Sequence, residues 1–243
     1  THPKLLDWLA PPFRTTDQWD SKQFIKRLVM SATYRQSSKR ITDYELRDPE
    51  NKYLSYYPRQ KLTAEMVRDN ALATSGLLNK TIGGPSVQPH QPEGLWEETT
   101  SGQGLTRYTP DTGSNLYRRS LYTFWKRTVP PPNMMTFDAS SRDFCSVERQ
   151  KTSTPLQSLV LMNDPQFYKA AQHISKRIEK LSLSNQDKIV SLFRQITLRK
   201  PLSEEVEMLK RYFDELTLEK DTDQAFTDLA VLIYNLDETT QKS

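Results

Sequence analysis

The residue types best suited to binding a charged or sugar-like ligand are concentrated in one short stretch of the chain. Arginine binds carboxylate or sulfate groups through paired N–H donors, and aromatic rings stack on the flat faces of sugars. The candidate ligand-binding cluster consists of Tyr117, Arg118, Arg119, Tyr122, Trp125 and Arg127. The alternative is structural, with the arginines cross-linking the loops at 79–116 and 130–153 through buried hydrogen bonds and the rings in the core.

A second candidate cluster combines carboxylates with an arginine, a combination that can transfer protons. Its members are Tyr34, Arg35, Gln36, Ser37, Glu65, Arg68 and Asp69. Glu65, Arg68 and Asp69 stand at i, i+3 and i+4, a spacing that favours local ion pairs on one helix. The sequence therefore leaves two interpretations open here, acid–base chemistry and a structural ion-pair cluster.

Motifs for a metal, a nucleotide or a catalytic nucleophile are absent from the sequence. The three histidines (His2, His90 and His173) are too scattered to predict a metal site, and residues 83–86 lack the Gly-Lys-Ser/Thr ending of a phosphate loop. There is no GxSxG or HExxH pattern. Cys145 is the single cysteine, so we predict no disulfide, thiolate zinc site or attached c-type haem, and we expect a buried thiol.

Charge is distributed unevenly along the 243 residues, whose formal net charge is +4 and whose mean hydropathy is −0.74. Residues 101–200 contain 16 Lys and Arg against 7 Asp and Glu, whereas residues 201–243 contain 4 against 11. The simplest interpretation is two solvated faces of opposite sign; the alternatives are that the acidic end packs on the basic middle or that the basic middle faces an anionic partner. No nucleic-acid-binding motif and no apolar run near ~18 residues is found, so we predict neither a nucleic-acid partner nor a membrane span.

Apolar periodicity and capping residues predict a mainly α fold: an irregular helical domain over residues 1–243, with long Gly/Pro-rich loops and at most a short β-hairpin. The loop insertion covers residues 79–116, and the hairpin is expected near 95–110. Helical spacing also favours a helix over residues 117–128, ended by Pro130. The other predicted helices are 3–10, 21–33, 61–78, 155–163, 164–181, 185–199, 203–219 and 222–236.

Several long motifs resemble the planctomycete PSD-one family, a domain of unknown function found in planctomycetes and some Bacteroidetes relatives. They extend over nearly the whole chain and include THPKLLDWLA (1–10), RQKLTAEMVRDNALATSGLL (59–78), GGPSVQPHQPEGLW (83–96), YRRSLYTFWKRT (117–128), FDASSRDFC (137–145) and TPLQSLVLMNDPQF (154–167). The family has no established catalytic residues to transfer to this chain. His90 stands where an aromatic residue such as tyrosine is expected, so the resemblance gives it no role as a ligand.

The resemblance implies a segment of a larger secreted protein that is periplasmic or extracellular and associated with a c-type cytochrome module. Two functions follow as hypotheses. The first is a non-catalytic interaction or scaffold module that docks on other domains of its own chain, with any c-type haem in a neighbouring module. The second is part of an extracellular enzyme that binds or processes complex polysaccharide, including sulfated forms, with an anionic glycan as partner.

Overall fold

The computed structural model describes residues 2–99 and 107–242, and its described residues form two compact units, 2–60 and 61–242. The first unit contains three helices: α1 (Pro3–Arg14), α2 (Ser21–Val29) and α3 (Thr42–Arg47). Within it, the Asp17 carboxylate pairs with Arg27 at 2.6 Å, and Phe13 packs against Trp19 and Phe24. None of the described hydrophobic side chains in this unit is buried.

The second unit contains the larger helices and the buried core. Its helices are α4 (Ala64–Ser75), α5 (Leu95–Thr99), α6 (Pro132–Thr136), α7 (Pro155–Asn163), α8 (Pro165–Glu179), α9 (Asn185–Thr197), α10 (Ser203–Leu216), α11 (Thr222–Tyr234) and α12 (Asp237–Thr240). Two 3₁₀ turns cover Gly113–Tyr117 and Ser120–Tyr122. Two-residue strands, β1 (Gln60–Lys61) and β2 (Gln241–Lys242), form a two-stranded sheet. The predicted mainly α fold is therefore confirmed.

Helix α8 is the centre of the core because one of its faces is apolar along its whole length. Its buried stripe repeats at helical spacing and is almost completely shielded from solvent: Phe167, Ala170, Ala171, Ile174 and Ile178. Helix α11 packs on this stripe, and Ser175 Oγ donates to the Phe226 carbonyl of α11 at 2.9 Å. Helices α4, α7 and α9 also pack against α8.

The helix bounds agree with the sequence prediction to within about three residues for α4 and α7–α11. Asp164 lies between α7 and α8 and caps α8, because its carboxylate accepts the Gln166 N–H at 2.8 Å. Helix α1 instead continues through Pro11 and Pro12, where the sequence predicted an end at Ala10. The carbonyls of these prolines accept the N–H groups of Thr15 and Asp17, so the helical bonding continues beyond them.

The predicted helix over residues 117–128 is wrong. The backbone there pairs with residues 79–87 instead: Asn79 N–H donates to the Tyr117 carbonyl, Val87 N–H to the Tyr122 carbonyl, and Phe124 N–H to the Val87 carbonyl, at 2.7–2.9 Å. These bonds use groups that a helix would need for itself. The hairpin expected near 95–110 also differs, because residues 95–99 form α5; residues 100–106 of that segment lie outside the described part of the chain.

A pair of carboxylates lies between the end of α8 and the start of α11. Burial, a hydrogen bond with Asp223 and the negative charge of Asp223 together raise the pKa of the Glu179 carboxyl to about 7. The positive charge of Lys188 opposes the shift, and Asp221 adds to it. The folded protein therefore holds a proton on this pair at pH values where an unfolded chain would release it.

We predict that titration of Glu179 lowers the free energy of unfolding as pH rises from about 4.5 to about 7. The reason is that the folded state binds the proton of the Glu179 carboxyl more tightly than the unfolded state does. Glu179→Gln keeps a hydrogen-bond donor without the titration. The variant should melt at increasingly higher temperature than wild type between pH 5 and 8. Circular dichroism melts across this range measure the difference.

The matched control is Glu207→Gln on an exposed position of α10, which should track wild type at every pH. A melting-temperature difference between Glu179→Gln and wild type that stays constant from pH 5 to pH 8 would contradict the assignment.

Candidate functional site

Arg118 of the first candidate cluster is buried and used structurally. Its guanidinium donates to the carbonyls of Thr81, Gly83 and Pro85, and it lies 3.8 Å from the centre of the Tyr122 ring. Gly83 and Gly84 both have φ above +80°, a conformation that L side chains rarely adopt, and this brings the carbonyls round one guanidinium. Arg118 therefore holds the loop at 81–85 in place, as the structural alternative proposed.

The other members of that cluster do not surround a common cavity in the described structure. Arg119 and Arg127 are exposed, and Tyr117 is partly buried. The Trp125 indole N–H donates to the Ser141 carbonyl at 3.2 Å, and the Arg142 guanidinium lies 4.7 Å from the centre of its ring. A ligand at this surface stays a prediction that depends on the two exposed arginines.

The members of the second candidate cluster belong to different units: residues 34–37 lie in the first unit, and Glu65, Arg68 and Asp69 lie in the second. In the first, Tyr34 packs edge-on against Tyr57 at 5.7 Å, and Arg35 is exposed. In the second, Glu65 makes a two-bond ion pair with Arg149 at 2.7 and 3.1 Å, 84 residues further along the chain. The local Glu65–Arg68 pairing predicted from helical spacing is replaced by this long-range pair.

Arg68 is the most enclosed charged side chain of the site, with 3% of its surface exposed. Its guanidinium donates to four neutral acceptors at 2.7–3.1 Å: the carbonyls of Leu116 and Arg118, Ser120 Oγ and Gln166 Oε1. Burial lowers the pKa of Arg68 to about 10, although the charges of Asp69 and Asp164 oppose that shift. The side chain stays charged at neutral pH, and it joins α4 to both the 116–120 segment and α8.

Asp69 is also committed to holding the same segment. Its carboxylate accepts the backbone N–H and the hydroxyl of Ser120 at 2.8 and 2.7 Å, and it lies 3.9 Å from Arg68. Both hydrogen bonds tie this carboxylate to the 116–120 segment. The acid–base interpretation of this cluster therefore has little geometric support, whereas a structural role accounts for every contact.

A pocket of about 390 Å³ opens beside this network, between the start of α6, α7 and the start of α8. Leu156, Leu159 and Val160 form its apolar wall. Its polar lining includes His90 and Asp164, and the backbone of His90 is held by Gln166, whose amide donates to the His90 carbonyl at 3.2 Å. The volume is within the range of small-molecule sites.

The carboxyl group in this pocket is largely occupied. Asp164 accepts the Asn133 amide at 3.1 Å and the Gln166 backbone N–H at 2.8 Å, while burial raises its pKa and His90 partly offsets that rise. What the pocket offers a ligand is an apolar wall and the His90 ring. Sequence reasoning gave His90 no weight, and the only signal for the pocket was the apolar helix that follows Pro155.

The loop after α6 also differs from expectation. Cys145, predicted to be a buried thiol, is exposed, and its neighbours Phe144 and Val147 are exposed as well. The sequence interpretation relied on the usual burial of cysteine, but this loop extends from the surface. The Arg142 guanidinium of this loop stacks on the Trp125 ring. Among the described residues, no group of three or more His, Cys, Asp or Glu is arranged to hold a metal ion.

Comparison with known proteins gives a single finding. The model of the family PSD1, described as "Protein of unknown function (DUF1553)", matches residues 1–213. No curated protein and no solved structure matches the chain. Within the described residues, no helix has the length and apolar content needed to cross a bilayer.

We predict that Arg68→Met lowers the free energy of unfolding by about 3–5 kcal/mol, because the buried acceptors round the guanidinium lose their donor. Arg68→Lys should recover only part of the loss, since an ammonium group cannot reach four acceptors in a planar arrangement. Urea unfolding followed by circular dichroism measures both. Arg119→Met, at the exposed neighbouring arginine, should change stability by less than about 0.5 kcal/mol. Equal urea midpoints for the two methionine variants would show that Arg68 has no structural role.

Proposed function

This chain belongs to the PSD1 family of proteins of unknown function (DUF1553), and we propose that it is a non-catalytic interaction module. The observation that supports the proposal most directly is the surface of the first unit. Residues 2–60 form helices with apolar faces, yet none of their described hydrophobic side chains is buried. Apolar surface of this kind is characteristic of a protein interaction site.

Exposed apolar side chains lie on both α1 and α2. On α1, Leu6 is 69% exposed and Trp8 61%; on α2, Ile25 is 56% exposed and Leu28 38%. An exposed aromatic and several exposed aliphatic side chains suit a partner that supplies a hydrophobic groove or a second helix face. Burying them on a partner removes apolar area from water, at about 25 cal/mol for each Å².

The polar groups of the second unit support a non-catalytic role for a separate reason. Glu65, Asp69 and Asp164 are the carboxylates that lie at the candidate sites, and each accepts hydrogen bonds from within the fold. A general acid or base must be able to exchange a proton with a substrate. These three groups instead fix the positions of α4, α8 and the 116–120 segment.

We propose that the partner is a neighbouring domain of the same full-length protein. The resemblance of the sequence motifs supports a secreted, cytochrome c-associated multidomain protein that is periplasmic or extracellular. In this arrangement any c-type haem belongs to the neighbouring module, and this chain contributes the apolar docking surface and no cofactor of its own.

A second candidate function is part of an extracellular enzyme that binds or processes complex polysaccharide. The pocket beside α7 supports it, because an apolar wall and a histidine ring lie together in a volume suited to a small ligand. We rank it second because the Asp164 carboxyl there already accepts two hydrogen bonds.

The docking proposal predicts a specific loss of association. The test variant combines Leu6→Ser, Trp8→Ser and Ile25→Ser. Its affinity for the separately produced remainder of the full-length protein should be weaker than that of wild type by about 100-fold or more, because hydrophobic anchors dominate such interfaces. The variant should fold normally, since the three side chains are exposed. Isothermal titration calorimetry measures the affinity, and circular dichroism checks the fold.

The control combines Met208→Ser, Leu218→Ser and Leu198→Ser, three exposed apolar positions of the second unit. It should bind within about threefold of wild type. Unchanged affinity in the first variant would refute docking through α1 and α2. Polysaccharide turnover that depends on His90 would favour the enzyme-associated function instead.

A further inference from the structure

One face of α8 carries a straight row of basic side chains that the core does not use. Lys169, His173, Lys176 and Lys180 stand at i, i+4, i+7 and i+11 and are all exposed. At 1.5 Å of rise per residue, the row extends about 16 Å along the helix, with Lys176 about 10 Å from Lys169. The opposite face of α8 is the buried apolar stripe, so the row cannot turn inward.

Among the described residues the three α8 lysines have no ion-pair partner, whereas His173 and Arg177 beside them contact the end of α4. His173 Nδ1–H donates to the Ser75 carbonyl at 2.7 Å, and Arg177 donates to the Thr74 carbonyl at 3.3 Å. The Arg177 contact places positive charge at the negative end of the α4 dipole. In the described part of the chain, Lys169, Lys176 and Lys180 have no carboxylate partner within ion-pair distance.

The positive surface extends beyond α8. Gly76, which follows α4, lies so close to Arg177 that an added Cβ would be 2.8 Å from its Nη1. Three residues on, the Asn79 N–H donates to the Tyr117 carbonyl at 2.9 Å. Lys80 follows Asn79, and Arg119 lies two residues after Tyr117; both side chains are exposed. The hydrogen bond therefore brings the two backbone segments that carry these side chains together. The row therefore leads across the end of α4 toward one of the arginines of the 117–127 cluster.

We infer that this face of α8 binds a linear anionic polysaccharide through its sulfate or carboxylate groups. A straight row of mobile ammonium groups separated by 6–10 Å matches a polymer with regularly repeated negative groups better than a single small anion. Binding of this kind releases counterions and weakens as salt is added. The proposal uses neither the apolar surface of α1 and α2 nor the pocket beside α7, so it can fail independently of the docking function.

The packing of α8 argues against two other anionic partners. A helix that reads DNA enters the major groove with its sides clear, but α4, α7, α9 and α11 all pack against α8. Single-stranded nucleic acid is held by aromatic platforms, and the exposed row contains none. A membrane-surface helix inserts its apolar face into the bilayer, whereas the apolar face of α8 is buried in the protein core.

The test compares two triple variants with the same change in charge. The first is Lys169→Gln, Lys176→Gln and Lys180→Gln on α8. The control is Lys200→Gln, Lys210→Gln and Arg211→Gln, three exposed cations on or next to α10. Affinity for heparin, for unsulfated dextran and for a 20-base-pair DNA duplex is measured by fluorescence anisotropy or calorimetry, from 25 to 300 mM salt. Circular dichroism confirms that both variants fold.

We expect wild type to bind heparin, to bind DNA more weakly and not to bind dextran. The α8 variant should lose heparin affinity by about tenfold or more at low salt and show a shallower salt dependence, while the control stays within about twofold. Equal losses in the two variants, or no loss in the α8 variant, would overturn the assignment. DNA binding as tight as heparin binding, with the same dependence on the α8 lysines, would also overturn it in favour of nucleic acid.

Discussion

The buried guanidinium of Arg68 is the constraint on which the irregular part of the second unit depends. A charge with so little exposed surface is costly to desolvate, and here the compensation comes from four hydrogen bonds to neutral acceptors, with the Asp69 carboxylate 3.9 Å away. Those acceptors belong to three separate segments of the chain. The hydrogen bonds that compensate for burying the Arg68 charge therefore fix the positions of α4, α8 and the 116–120 segment.

A second arginine extends the arrangement outward. The carbonyl of Arg118 accepts from Arg68, while the guanidinium of Arg118 holds the carbonyls at 81–85. The two side chains thus connect the helical core to the Gly/Pro-rich residues 81–85. Through Gln166, which bonds both Arg68 and the His90 carbonyl, the same network also reaches the wall of the pocket beside α7. Residues that could have done acid–base chemistry serve as connections in this framework.

The binding surfaces that we propose are parts of the chain that this framework does not use. The carboxylates at the candidate sites are engaged within the fold, whereas α1 and α2 carry exposed apolar side chains and the three lysines of α8 have no ion-pair partner among the described residues. A framework held by internal polar contacts can present such surfaces without rearranging, which favours recognition over catalysis.

The sequence predicted the helices well because helix bounds depend on interactions between residues that are close together in the chain. Helix bounds followed from apolar periodicity and from caps such as Asp164, whose carboxylate accepts a donor two residues away. The site depended on partners that are far apart in sequence: Arg68 lies 98 residues from Gln166, and Glu65 lies 84 from Arg149. A spacing of i, i+3 and i+4 predicted ion pairs within one helix and carried no information about these distant acceptors. The 117–128 segment was misassigned for the same reason, because its helical spacing gave no indication of the pairing with residues 79–87.

The central claim is that Arg68 stabilises loop backbone that it does not contact. Hydrogen exchange measured by mass spectrometry tests it most directly, under conditions where wild type and Arg68→Met are both folded. Our account predicts that the amides of Asn79, Val87 and Phe124 lose at least about tenfold more protection in Arg68→Met than the amides of α11 do, although Arg68 contacts none of the three. Arg119→Met should leave them unchanged. Full protection of these loop amides in Arg68→Met would contradict the claim that the two arginines hold this part of the fold together.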